Sequence, residues 1–89
     1  MIKEQIIIIN KLGLHARAAG KLVSEAAGFS SQIKIGYESR MVDAKSIMSV
    51  MLLAASQGTS LEIEVDGPDE DAAYTAIANL INNRFDEGE

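Results

Sequence analysis

The chain has 89 residues, 47 % of them hydrophobic and 24 % charged, with 13 acidic against 8 basic side chains and a formal net charge of −5. At that length one core is all the chain can build, with about 60 % of its surface buried on folding, so a single domain over residues 1–89 is expected. The acidic balance opposes the phosphate attraction behind nucleic-acid binding. The absence of cysteine excludes disulfides and zinc thiolates, and no apolar run approaches the roughly 20 residues of a membrane span.

MIKEQIIIIN has no basic stretch followed by a signal-type apolar segment, so a cytoplasmic location and no membrane partner are expected. Ile2 to Ile9 is β-branched almost throughout and ends at Asn10-Lys11-Leu12-Gly13, which predicts a strand with one face in the core. From Ala16 the period changes. Ala19, Leu22, Val23, Ala26 and Ala27 recur at helical spacing, and Gly28 stands where a helix commonly ends in the left-handed conformation.

Gln32 to Tyr37 and Ser39 to Asp43 form a plausible hairpin, although no Asn-Gly or Asp-Gly pair marks its turn. Ser46 to Ala55 reads as a short helix whose apolar residues run nearly all the way round, so some of Ile47, Met48, Met51 and Leu52 should stay exposed or meet a partner. Ser60 to Asp66 alternates, with Leu61, Ile63 and Val65 inward and Glu62, Glu64 and Asp66 outward. Gly67-Pro68-Asp69-Glu70-Asp71 then opens a last helix, with acids favourable against its dipole. Ala73, Ala76, Ile77, Leu80 and Ile81 are its expected core stripe, and the charged tail Arg84 to Glu89 is expected to fray. The order β-α-β-β-α-β-α suggests one sheet with helices on one face and water on the other.

The only histidine, His15, falls at the start of the first helix. One histidine without cysteine falls short of the three or four ligands of a zinc-type site, so no metal is expected. The acidic run Asp66 to Asp71 lacks the spacing of a calcium loop, and no glycine-rich nucleotide loop is present. A helix N-terminus does offer unpaired N–H groups and about half a positive charge to an anion. Arg17, in the first turn, adds a guanidinium that can fork onto phosphate oxygens. One histidine, one arginine and a helix end are enough to carry a phosphoryl group.

The segments NKLGLHARAA (Asn10 to Ala19), AKSIMSVMLLAA (Ala44 to Ala55) and SQGTSLEIEVDGPDEDAA (Ser56 to Ala73), in this order of elements, resemble the HPr phosphocarriers of the bacterial phosphoenolpyruvate phosphotransferase system. The resemblance covers essentially the whole chain. It implies an α+β fold, an open-faced β-sandwich with a four-stranded antiparallel sheet in order 1-4-2-3 and three helices on one face. It also implies that His15 accepts a phosphoryl group on Nδ1 from phosphorylated Enzyme I and passes it to a IIA protein histidine, with Arg17 stabilising the phosphate. Partners are expected to dock on Ala16, Gly20, Lys21, Ile47, Met48 and Met51. The implied protein is a relay without a cofactor, not an independent enzyme, and needs no dimer. Ser46, an N-cap by position, corresponds to a serine that an HPr kinase modifies in some bacteria.

Ala18 departs from the commoner GLHARPA pattern, in which proline stands at that place. With the C-terminal FDEGE, this makes the chain look most like the nitrogen-related branch, NPr, which implies Enzyme I-Ntr as donor and IIA-Ntr as acceptor. The alternatives are the sugar-uptake branch and a regulatory binding module that docks targets without phosphotransfer.

Overall fold

The computed structural model describes residues 1–86. In chain order it contains β1 (Ile2–Ile7), α1 (Ala16–Ala27), β2 (Gln32–Tyr37), β3 (Arg40–Asp43), α2 (Ile47–Leu53), β4 (Ser60–Asp66) and α3 (Glu70–Asn82), then a 3₁₀ turn at Arg84–Asp86. The strands form one antiparallel sheet in the order β1-β4-β2-β3. The register follows the hydrophobic pattern, since a slip of one residue would turn each strand's apolar side chains to water. Ile6 pairs with Leu61, Ile33 with Val65 and Ile35 with Ile63, and all six face the core. Lys3, Gln5, Lys34 and Asp66 lie exposed.

The three helices cover the other side of these strands and complete one continuous apolar cluster. α1 contributes Ala18, Ala19, Leu22 and Ala26, small side chains that let the helix approach closely, while Ala27 is exposed. Gly28 does not take the expected left-handed conformation. Its φ of −76° continues a right-handed turn whose N–H bonds to the carbonyls of Glu25 and Ala26. α3 buries Ala73, Ile77 and Ile81, whereas Ala76 and Leu80 sit at its margin.

The hairpin forms as expected, but its turn falls at Glu38 and Ser39, both with positive φ. That is the geometry two-residue hairpins require, held here by residues that signal it weakly.

The fraying expected at the C-terminus is corrected for residues 84–86; residues 87–89 lie outside the described residues. Phe85 is fully buried, and the Lys21 ammonium donates to its carbonyl at 2.8 Å, with Asp86 at 3.9 Å. A single aromatic in a charged run looks like tail. Here it plugs the core, and a buried phenyl ring offsets the ordering of its own turn.

Candidate functional site

The loop from Asn10 to His15 is fixed by the segment that follows α2. Leu14 donates its N–H to the Ala55 carbonyl at 2.8 Å, the Ile8 N–H bonds to Thr59 and the Gly58 N–H to Ile8. The Gln57 side chain reaches the Ile9 carbonyl at 3.1 Å. Buried Asn10 closes the turn by donating from Nδ2 to the Gly13 carbonyl at 2.8 Å. Gly13 is required here: its φ is +64°, and a Cβ would lie 2.5 Å from the Ala55 oxygen and 2.8 Å from Ser56 Cα. This backbone seam sets the position of His15.

His15 is the N-cap residue of α1, in extended conformation, and its carbonyl accepts the first helical hydrogen bond from Ala19 at 2.8 Å. Its imidazole is half-buried and makes no capping bond. The N–H groups of Ala16, Arg17 and Ala18 precede the first helical bond, so they belong to the donor set that a helix leaves open. No acidic residue stands in that turn. Arg17 is exposed two residues beyond His15, and among the described residues it has no carboxylate partner. The Ala18 methyl is buried, so its position is taken up by packing.

His15 opens onto a shallow groove of about 320 Å³ that runs to the C-terminal end of α2, with Leu12, Ala16, Met51, Ala54 and Ser56 along it. Beside it α2 leaves large side chains in water as expected: Met48 is 68 % exposed, Leu52 66 %, Met51 42 % and Ile47 39 %, while Val50 and Leu53 are buried. Leu12, 65 % exposed, extends this patch across the seam. The sequence presents Leu12 as a turn residue; the available signal was a bulky apolar side chain in a turn that gives it nothing to cover.

α2 is shorter than Ser46 to Ala55. Ser46 caps it, its hydroxyl accepting from the Ser49 N–H at 3.4 Å. At the other end Ala54 turns left-handed (φ 51°, ψ 36°) and stops the helix. The last carbonyls are satisfied by Ala54 N–H on Met51, the Arg40 guanidinium on Leu52 and the Tyr37 hydroxyl on Leu53 at 2.6 Å. The hairpin thereby holds the helix that flanks the site, a link with no signature in the sequence.

Of the other residues singled out, Gly20 faces open space on α1, and Lys21 lies partly exposed on the same helix. Its ammonium is engaged with Phe85 and Asp86. Among the described residues no cluster of three or more His, Asp or Glu could hold a metal ion, and no helix is long and apolar enough to cross a membrane.

His15 at its helix end, Arg17 and the apolar patch of α2 thus share one open surface. A family model described as "PTS HPr component phosphorylation site" matches residues 2–83. The chain is 55 % identical to phosphocarrier protein HPr of Cupriavidus necator over 89 residues, all of both chains. It is 55 % identical to HPr of Pseudomonas aeruginosa over 86 residues, 96 % of each. The crystal structure of HPr-C-His from Thermoanaerobacter tengcongensis superposes with a TM-score of 0.94 at 44 % identity, covering 98 % of each chain. The chain belongs to the HPr family, the phosphocarriers of the phosphotransferase system.

Proposed function

We propose that His15 carries the phosphoryl group. Nδ1 attacks the phosphorus of phosphorylated Enzyme I as the donor's P–N bond breaks, and a histidine of a IIA protein later attacks in turn and regenerates the imidazole. The observation that carries this reading is the setting of His15: first-turn N–H groups and Arg17 beside it, no acid in that turn, and an open groove in front. Phosphoryl transfer asks chiefly for positioning and charge stabilisation, which such a surface supplies in part and the partner completes. Ala16, Gly20, Ile47, Met48 and Met51 form the docking surface, where flexible methionines suit a site that must fit donor and acceptor in turn. Lys21 is assigned to the fold instead. The working form is a cytoplasmic monomer of one domain.

Incubation with phosphoenolpyruvate and Enzyme I should give an acid-labile, base-stable phosphoryl group on the wild type and none on His15→Ala. Equal labelling of the variant would refute the assignment.

The nitrogen branch, with Enzyme I-Ntr and IIA-Ntr as partners, is the second reading, and Ala18 favours it. FDEGE adds less than its composition suggests, because burial of Phe85 gives that residue a structural reason. Faster labelling by the sugar-type Enzyme I than by Enzyme I-Ntr would remove the branch assignment and leave the carrier intact. Phosphorylation of Ser46 by an HPr kinase would place nearly two negative charges beside Ile47 and Met48 and oppose docking.

A further inference from the structure

Among the described residues six without a glycine's freedom have positive φ: Glu38, Ser39, Ala54, Arg84, Phe85 and Asp86. A Cβ makes that conformation unfavourable, and single left-handed residues other than glycine persist where the surroundings or a function require them. Glu38 and Ser39 make the two-residue turn between β2 and β3, whose geometry demands it. Arg84 to Asp86 are ordered by the complete burial of Phe85 and the Lys21 contact.

At Ala54 the fold requires a left-handed turn, which ends α2 and leads into buried Ala55, whose carbonyl accepts from Leu14, but it does not require an alanine. Ala54 is exposed, so no burial offsets its conformation. Its backbone N–H bonds to the Met51 carbonyl at 3.1 Å, a role that glycine would fill equally well and without strain. What alanine adds is one methyl group, and that residue lines the groove of His15, between Met51 and Ser56.

We propose that Ala54 is a specificity-determining residue. Its methyl narrows the groove in front of His15 and meets an apolar surface of the protein that delivers the phosphoryl group. The occupant follows from continuity: a donor that reaches His15 closes over this groove, and the exposed Leu12 and Met51 flank it as apolar neighbours. The alanine at residue 54 is thus kept, where glycine would take the turn more easily, for the sake of contact. This inference rests on the carrier reading of His15.

The test uses the full chain and phosphorylated Enzyme I. Ala54→Gly should raise Tm by about 4–8 °C, the scale for relieving a single strained residue in a domain this small. It should raise the KM for the chain as phosphoryl acceptor about fourfold, the value of one buried methyl-sized group, and leave kcat unchanged. A more stable variant with unchanged KM overturns the proposal, and so does a variant with no gain in Tm.

To separate the methyl from loop flexibility, Ala54 is replaced by its mirror-image D isomer in the synthetic full chain. That residue is at ease in the left-handed region and rigid, but directs its methyl elsewhere, so KM should remain raised. A return to the wild-type KM overturns the proposal. Absence of labelling on the wild type would refute the carrier reading itself, a result distinct from any of these.

Discussion

The N-termini of α1 and α3 expose the same kind of unpaired N–H groups and the same half positive charge, yet they are treated in opposite ways. α3 is met from within: Glu70 and Asp71 stand in its first turn, and Glu70 accepts from the Gly67 N–H at 3.2 Å. Asp69, its N-cap residue, turns its carboxylate to the preceding loop. One oxygen accepts from the Ser30 N–H at 2.8 Å, and the other from the Ser31 N–H at 2.8 Å and the Ser31 hydroxyl. α1 has no acid in its first turn and no side-chain cap, but has Arg17. The difference teaches that a helix start used for stability is supplied with its own anions, whereas the one proposed to take phosphate is kept clear of them.

The largest break of this contrast is Ala16→Asp, which gives α1 the acid that α3 already has. A carboxylate at this exposed position favours the helix dipole by about 0.3–1 kcal/mol, so Tm should hold or rise. Phosphoryl acceptance should fall about 100-fold, the scale of losing one charge-stabilising donor. Unchanged labelling would show that the cleared turn is incidental.

The converse is Asp69→Asn, which should lower Tm and leave labelling at the wild-type rate. Its pH dependence sharpens the point. The Ser31 hydroxyl, followed by the Ser30 N–H, holds the Asp69 carboxyl below its ordinary value of 3.8. A lowered carboxyl pKa stabilises the fold above that ordinary value and ceases to do so as pH falls through the lowered one. Urea titrations should therefore find the wild type more stable than Asp69→Asn at pH 7, with the gap closing below pH 3.8.

The smallest effect concerns α2, which is capped by neither method but by a neutral hydroxyl. Ser46→Ala should lower stability by about 1 kcal/mol in denaturant titration and leave labelling of His15 in place. A larger loss would mean that Ser46 does more than cap.

The parts legible in the sequence are those fixed by local period and chemistry. The alternation of Leu61, Ile63 and Val65 gave β4 and its inward face, and surplus apolar residues on α2 gave its exposed patch. His15 and Arg17 stand out in the sequence because their types and spacing bear directly on phosphate, the role proposed for them. What escaped depends on residues distant in the chain. Lys21 reads as a docking residue, and nothing near it in the chain signals its bond to Phe85, 64 residues later. Asp69 reads as a dipole acid, although its partners Ser30 and Ser31 lie nearly 40 residues earlier. Gly28 was mistaken for the opposite reason: a local rule was applied where the chain continues its right-handed turn.

The seam that Gly13 allows between the His15 loop and the end of α2 has a kinetic consequence. The loop that carries His15 and the end of the apolar helix are tied together by backbone hydrogen bonds into one surface. On the carrier reading of His15, donor and acceptor should therefore occupy this one face in succession. On that reading the relay should follow ping-pong kinetics.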